Sequence, residues 1–209
     1  MPVTIRAMSE GTQPMIDGRR GAAGFTLVEL LVVLLVGSIL LGLGIPAMQG
    51  LIADNQMNAV TDNFASALNS ARSEAGKLGV PVALSTTGGQ NWGSGWTMFV
   101  DTNGNGTQDT GQTPAEATVR VGAALPTGYS LKSGPGFSGG IVSFDATGRR
   151  VQAGGSANFM ICYGNFPAAG AAARLITLTP SGRVRIAQNN AAGQPIDDTG
   201  TALTACTPP

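Results

Sequence analysis

The feature that most constrains this chain is an apolar run, Phe25–Ile45, whose only charged residue is Glu29. As a helix, a run of this length can cross the ~30 Å hydrocarbon layer of a membrane. The basic pair Arg19-Arg20 precedes it, as expected on the cytoplasmic side of a span. A secretory signal peptide would place small residues after its apolar core, but here they come before it, at Gly21–Gly24. The pattern predicts a single transmembrane segment that anchors the rest of the chain on the far side of the membrane.

Glu29 is an unusual residue for this position, because a carboxylate in lipid is costly unless it finds a partner or stays near the interface. One interpretation is an interfacial carboxylate without a role. The alternative is cleavage between Gly24 and Phe25, which would create a new α-amine close to the carboxylate. In an assembly of staggered helices, Glu29 of one subunit could then neutralise the amine of the next.

After the apolar run the pattern remains helical but becomes amphipathic, with apolar residues at three- and four-residue steps as far as Leu78. Gly79 and Pro81 then end the helix. The remaining sequence consists of short β-branched or aromatic segments separated by turn residues, which predicts antiparallel sheets packed on the helix. The predicted fold class is therefore α+β, with one long helix from Phe25 to about Leu78. The predicted strands are 82–85, 96–100, 117–121, 129–132, 141–144, 149–153, 158–162, 175–179 and 183–187.

The chain contains no histidine, which removes the commonest general base, the usual catalytic triad and most zinc sites. Since no nucleophile motif is present either, we predict that the protein is not an enzyme and needs no cofactor. The two cysteines, Cys162 and Cys206, could form a disulfide that ties the C-terminal tail to the body in an oxidising compartment. The alternative is two unpaired thiols.

The segment Asp101–Asp109 has oxygen-bearing side chains at alternate positions before a glycine, like the first half of an EF-hand calcium loop. The twelfth position, however, is Gln112 instead of the bidentate glutamate, and Asn-Gly pairs form tight turns by themselves. A turn is the preferred prediction, and a calcium site remains the alternative. Trp92 and Trp96 are predicted to pack in the core or in a hairpin, and a stacking platform is the alternative.

The segment Leu175–Ala187 predicts a β-hairpin with its turn at Pro180–Gly182. Arg183 and Arg185 are two residues apart, so both should lie on one face of the second strand. Between Arg120 and Asn190 the chain has seven basic residues and one acidic residue, Asp145, so acidic partners are scarce. The surface therefore suits a polyanion such as DNA, and the alternative is a solvated strand face. Three further arginines could extend it: Arg149, Arg150 and Arg174.

The heptapeptide that begins at Gly24, GFTLVEL, resembles the class III signal of type IV pilins and pseudopilins. The resemblance implies that a prepilin peptidase cuts after Gly24 and methylates Phe25, and that Glu29 then guides assembly with other subunits. Residues 1–24 would be the leader, with either Met1 or Met15 as the true start.

Three further stretches resemble the GspH/FimT branch of that family: SALNSARSEAGKLGVPV, the spacing Trp92-x3-Trp96-x2-Phe99-x-Asp101, and Gly182-Arg183-Val184-Arg185. FimT-type members bind DNA through a C-terminal Gly-Arg-x-Arg motif during natural transformation. The resemblance therefore implies a minor type IV pilin that contacts DNA through Gly182, Arg183 and Arg185. Because the contact would be to the phosphates, we expect it to be weak, salt-dependent and largely independent of sequence. The alternative is a GspH-like minor pseudopilin of type II secretion that acts through protein contacts.

The same resemblance implies how the chain is divided and where it lies. Residues 25–46 would be the transmembrane and filament-core helix, 47–79 the amphipathic half of the helix, and 80–209 a periplasmic β-rich domain. The expected location is the bacterial inner membrane, followed by assembly into a pilus or pseudopilus.

Overall fold

The computed structural model of the chain describes residues 24–86, 88–111, 115–135, 137, 139–168 and 171–209. One long helix, α1 (Leu27–Leu78), is followed by a 3-10 turn at Trp92–Ser94 and by the strands. The strands of the described residues are β1 (Val82–Ser85), β2 (Trp96–Val100), β3 (Thr118–Gly122), β4 (Tyr129–Ser133), β5 (Ile141–Phe144), β6 (Ala157–Tyr163), β7 (Ala172–Leu178) and β8 (Val184–Ile186). The boundary between two compact units of the chain lies between Ile45 and Pro46.

The strands form two antiparallel sheets, with the orders β3-β2-β1-β5 and β4-β6-β7-β8. The predicted fold class, a helix packed on antiparallel sheets, is therefore confirmed. The predicted strand at 149–153 is wrong, because Arg150 makes only an isolated bridge to Phe144. Its side chain turns inward to bond the carbonyls of Gly154 and Gly155, so the chain leaves the sheet there.

The first part of α1 begins with a side-chain cap, in which the Glu29 N–H donates to Thr26 Oγ1 at 3.2 Å. From Phe25 to Leu43 the large apolar side chains are 49–81% exposed among the residues that the structure describes. The span predicted at residues 25–46 is not confirmed, since no helix among the described residues is both long and apolar enough to cross a membrane.

The second part of α1 supplies one wall of the main core. Phe64 lies at the centre of an aromatic group, with ring centroids 4.9 Å from Phe159, 5.6 Å from Trp92 and 6.3 Å from Trp96. Both tryptophans are buried, as predicted. The helix and one face of each sheet therefore share a single apolar interior, to which Leu68, Met98 and Ile176 also belong.

A second, smaller apolar cluster lies on the opposite face of the β4-β6-β7-β8 sheet. Met160 and Leu175 are buried there beneath Leu203 of the C-terminal tail. A disulfide joins Cys162 in β6 to Cys206 in the tail. The tail thus covers the back of the sheet and is fastened to it covalently.

Candidate nucleic-acid interface

β7 and β8 form a hairpin whose turn is closed by short hydrogen bonds. The Thr179 N–H donates to the Arg183 carbonyl at 3.0 Å, and the Gly182 N–H donates to the Thr179 carbonyl at 2.9 Å. The Arg183 N–H donates to Thr179 Oγ1 at 3.1 Å. In the register of the strands, Thr177 lies opposite Arg185 and Leu178 lies opposite Val184. The hairpin and its turn are as the sequence predicted.

This turn packs directly on a second turn at residues 145–149, and we call the two segments 145–149 and 179–183 the paired turns. The Arg150 N–H donates to the Pro180 carbonyl at 3.1 Å, which joins them. A methyl group added at Gly182 would lie 2.0 Å from the Gly148 carbonyl oxygen, so only glycine permits this approach. Arg72 of α1 donates from Nε to the same Gly148 oxygen at 3.0 Å, which ties the paired turns to the helix.

Arg149 and Arg183 are both exposed on the paired turns. Their backbone N–H groups donate hydrogen bonds within the turns, to Asp145 Oδ1 and Thr179 Oγ1. Within the described part of the chain, neither guanidinium group makes a hydrogen bond or an ion pair. Arg72 is half-buried beside the Gly148 carbonyl, so three arginines lie on the paired turns or directly against them. The arrangement offers forked donors on a rigid support, which suits phosphate groups.

Asp145 is the acidic residue of the paired turns. Its Oδ1 accepts from the Thr147 hydroxyl at 2.6 Å, from the Thr147 N–H at 2.8 Å and from the Arg149 N–H at 3.0 Å. The Thr147 hydroxyl is the main reason that the pKa of this carboxyl lies below its usual value. Asp145 is therefore ionised and offsets part of the local positive charge, while its hydrogen bonds shape the turn that presents Arg149.

Arg150 does not belong to the surface on which the sequence analysis placed it. The residue is 6% exposed, and its guanidinium group lies over the Phe137 ring, 5.6 Å from the centroid. Nη2 donates to the carbonyls of Gly154 and Gly155, and burial lowers the pKa of the group. Adjacent residues of an extended chain point to opposite sides, so exposing Arg149 sends Arg150 inward. Its role is to hold the loop that follows.

The predicted position of Arg174 on the surface of Arg183 and Arg185 is also wrong. It is half-buried and donates to the Asn58 Oδ1 of α1 at 3.4 Å, so it lies on the face of β7 that is turned to the helix. A second hydrogen bond, to the Ala173 carbonyl at 3.1 Å, holds the side chain there. Arg174 therefore does not extend the surface of Arg185.

Arg185 is exposed, but it has an acidic partner that the sequence analysis did not foresee. Its Nη1 lies 3.4 Å from Asp198 Oδ1 in the C-terminal tail, and the two side chains are 59% and 41% exposed. Exposed ion pairs of this kind contribute about 0–1 kcal/mol, so a phosphate could replace the carboxylate. The tail brings Asp197 and Asp198 next to β8. The sequence around these two residues has no periodicity from which this position could be predicted.

The processing motif lies at the start of the described residues. Phe25 is 81% exposed, and a side chain added at Gly24 would meet nothing within 4 Å. Helix α1 begins only at Leu27, so the bond between Gly24 and Phe25 precedes the helix.

Comparison with known proteins gives two family matches. The profile described as type II transport protein GspH matches residues 60–182, and the prokaryotic N-terminal methylation motif matches residues 19–45. None of the curated proteins matches the chain.

Solved structures show a likeness of fold. The type IV minor pilin FimU of Pseudomonas aeruginosa strain PAO1 has a TM-score of 0.53 at 17% identity, and the match covers 74% of this chain and 97% of that chain. A second crystal form of FimU gives a TM-score of 0.49 at 19% identity, with 71% and 98% covered.

Proposed function

This chain belongs to the GspH family and is a minor pilin or pseudopilin, and we propose that it contacts DNA through the paired turns and β8. The observation that carries the proposal is the exposure of Arg149 and Arg183 on two abutting turns that are fastened to α1. Arg185 also contacts DNA when a phosphate group takes the place of the Asp198 carboxylate as its ion-pair partner. The contact is to the DNA backbone, hence salt-dependent and largely independent of sequence. In a competent cell it would serve DNA uptake for natural transformation.

In the same proposal, the N-terminal apolar segment holds the chain in the inner membrane until it assembles with other subunits. The exposed side chains from Phe25 to Leu43 support this, because lipid or neighbouring helices would cover them. Glu29 then neutralises the new amine of a neighbouring subunit once the leader has been removed.

The DNA contact is tested by replacing Arg149 and Arg183 together with glutamine in the full chain, purified in detergent. We expect DNA affinity to fall at least about tenfold, because hydrogen bonds to charged groups contribute about 1.5–3 kcal/mol each. A mobility-shift titration with a short duplex measures the change. Asp198→Asn should have the opposite effect, since it removes a repelling carboxylate and releases Arg185.

The control is Arg174→Gln, which removes one positive charge, half the change in the double variant, from the face of β7 that is turned to α1. This variant should bind DNA like the unaltered chain. If Arg174→Gln lowered log affinity by half as much as the double variant, each lost charge would count equally wherever it lies, and the paired turns would then have no special role.

Processing is tested by Gly24→Val, for which we expect an uncut precursor in cells that contain a prepilin peptidase. The side chain at residue 24 meets nothing within 4 Å, so the substitution changes the peptidase substrate and leaves the packing intact. Gel mobility of the membrane fraction reports cleavage. Gly37→Val, which is equally free of neighbours, should be cut normally. A mature-sized Gly24→Val product would show that the motif is not the cleavage site.

The second candidate is a pseudopilin of type II secretion that acts by protein contacts alone. The edge strand β3 supports it, because Val119 and Val121 are 42% and 67% exposed and, among the described strands, β3 pairs only with β2. Such an edge can accept a strand from a neighbouring subunit. On this hypothesis the arginine variants leave the weak DNA binding of the chain unchanged.

A further inference from the structure

The loop after β2 contains a buried carboxylate with an unused oxygen. Asp101 is 1% exposed, and its Oδ2 accepts from the Gly106 N–H at 3.0 Å. Its Oδ1 is buried and has no hydrogen-bond partner among the described residues. Burying such an oxygen without a partner costs free energy unless a donor or a cation satisfies it. Because this hydrogen bond comes from Gly106 within the loop, the Asp101 carboxylate is turned toward the loop that starts at Asp101.

Three further polar side chains of the loop meet at one point. Asn103 Nδ2 and Asn105 Nδ2 both donate to Asp109 Oδ2, at 2.8 Å and 2.9 Å. Each asparagine oxygen also accepts a backbone N–H two residues on, so the amides are already oriented by the loop. The two amide N–H groups stabilise the negative charge of Asp109. A cation bound among these side chains would stabilise the same charge.

Glu116 brings a further carboxylate to the loop from outside it. Its Oε1 accepts from the Thr102 N–H at 2.9 Å and from the Thr102 hydroxyl at 3.1 Å, and its Oε2 accepts from the Asp109 N–H at 2.9 Å. Glu116 is 5% exposed and therefore fixed in place. Gln112 occupies the position at which an EF-hand loop has its bidentate glutamate, and it lies outside the described residues. Glu116 can supply the acidic group that this position lacks.

We propose that the loop after β2 binds one calcium ion through Asp101 Oδ1, the side-chain oxygens of Asn103 and Asn105, and the carboxylate of Asp109 or Glu116. No three Asp, Glu, Cys or His side chains in the described residues are placed to hold a metal by themselves, so amide oxygens are required. Calcium accepts carboxylate, amide and backbone oxygens together, and its coordination is flexible, whereas magnesium demands a near-ideal octahedron. Gly106, at φ +74°, matches the glycine that the sharp turn of such loops needs. This site is independent of the proposed DNA contact.

Titration calorimetry of the chelator-treated full chain in detergent tests the site, with CaCl2 as the probe. We expect one ion per chain with a Kd of about 10⁻⁴ to 10⁻³ M, the range of extracellular sites with few charges. Asp101→Asn should weaken binding at least about tenfold, since it removes the charge and preserves the shape of the residue. Asp197→Asn is the matched control, because Asp197 also accepts N–H groups within its own turn, and it should bind calcium like the unaltered chain.

A second variant, Asn103→Ala/Asn105→Ala, changes two exposed side chains and keeps the test decisive if Asp101→Asn does not fold. It should also weaken calcium binding at least about tenfold, since two of the oxygen ligands are lost. Absence of binding heat up to about 10 mM CaCl2, above the weak limit of such sites, would overturn the proposal. An unchanged Kd in the double asparagine variant would overturn it equally.

Discussion

The disulfide variant Cys162→Ala/Cys206→Ala is expected to lose about 4 kcal/mol of unfolding free energy. The bridge closes a loop with a sequence separation of 44, and the entropy of the unfolded chain rises by about this amount when such a loop is opened. The tail also covers Met160 and Leu175, so releasing it exposes part of the second apolar cluster. Denaturant unfolding followed by the fluorescence of the buried tryptophans measures the loss.

Ser130→Ala is the control for this prediction, because Ser130 Oγ lies 3.6 Å from Cys206 Sγ and its removal leaves the bridge intact. It should cost less than about 1 kcal/mol, as expected for one half-buried polar contact. If opening the bridge cost no more than this control, the tail would not be stabilising the back of the sheet.

Gly182→Ala is expected to destabilise the protein by about 3 kcal/mol and to weaken DNA binding as well. Residue 182 has φ +77°, which costs an L-residue about 1–2 kcal/mol. The new methyl group would also lie 2.0 Å from the Gly148 oxygen, so the paired turns must separate. Overpacking of this kind typically adds about 1–3 kcal/mol. Denaturant unfolding gives the first effect and a mobility-shift titration the second.

Gly193→Ala separates the two causes, because Gly193 has a similar φ of +76° but no atom within 4 Å of the added methyl group. It should cost about 1–2 kcal/mol, the price of the left-handed backbone alone, and leave DNA binding unchanged. Equal destabilisation by the two variants would show that the close contact with Gly148 contributes nothing.

Much of the fold could be predicted from local patterns. The helix end at Leu78 follows from Gly79 and Pro81, and β1, β2 and β5 have the predicted bounds because turn residues flank each strand. The hairpin register follows from the alternation around Arg185, since a slip by one residue would expose Val184 to solvent and bury an arginine.

The candidate site could be predicted only in part, because its other features depend on contacts between distant segments. Arg150 is buried by Phe137 and bonded to the loop that follows, which no spacing reveals. Asp198 reaches Arg185 from an irregular tail without hydrophobic periodicity. In the sequence, Arg72 looks like any other polar residue of an amphipathic helix. Only the structure shows that its side chain donates to the Gly148 carbonyl.

The salt dependence of DNA binding by the full chain is the decisive measurement for the proposed contact at the paired turns. If Arg149 and Arg183 each contact a phosphate, the slope of log affinity against log salt should become shallower by about 1.8 in the Arg149→Gln/Arg183→Gln variant on duplex DNA. Arg174→Gln should keep the original slope. Parallel lines for the unaltered chain and the double variant would contradict the account, because the paired turns would then release no counterions on binding.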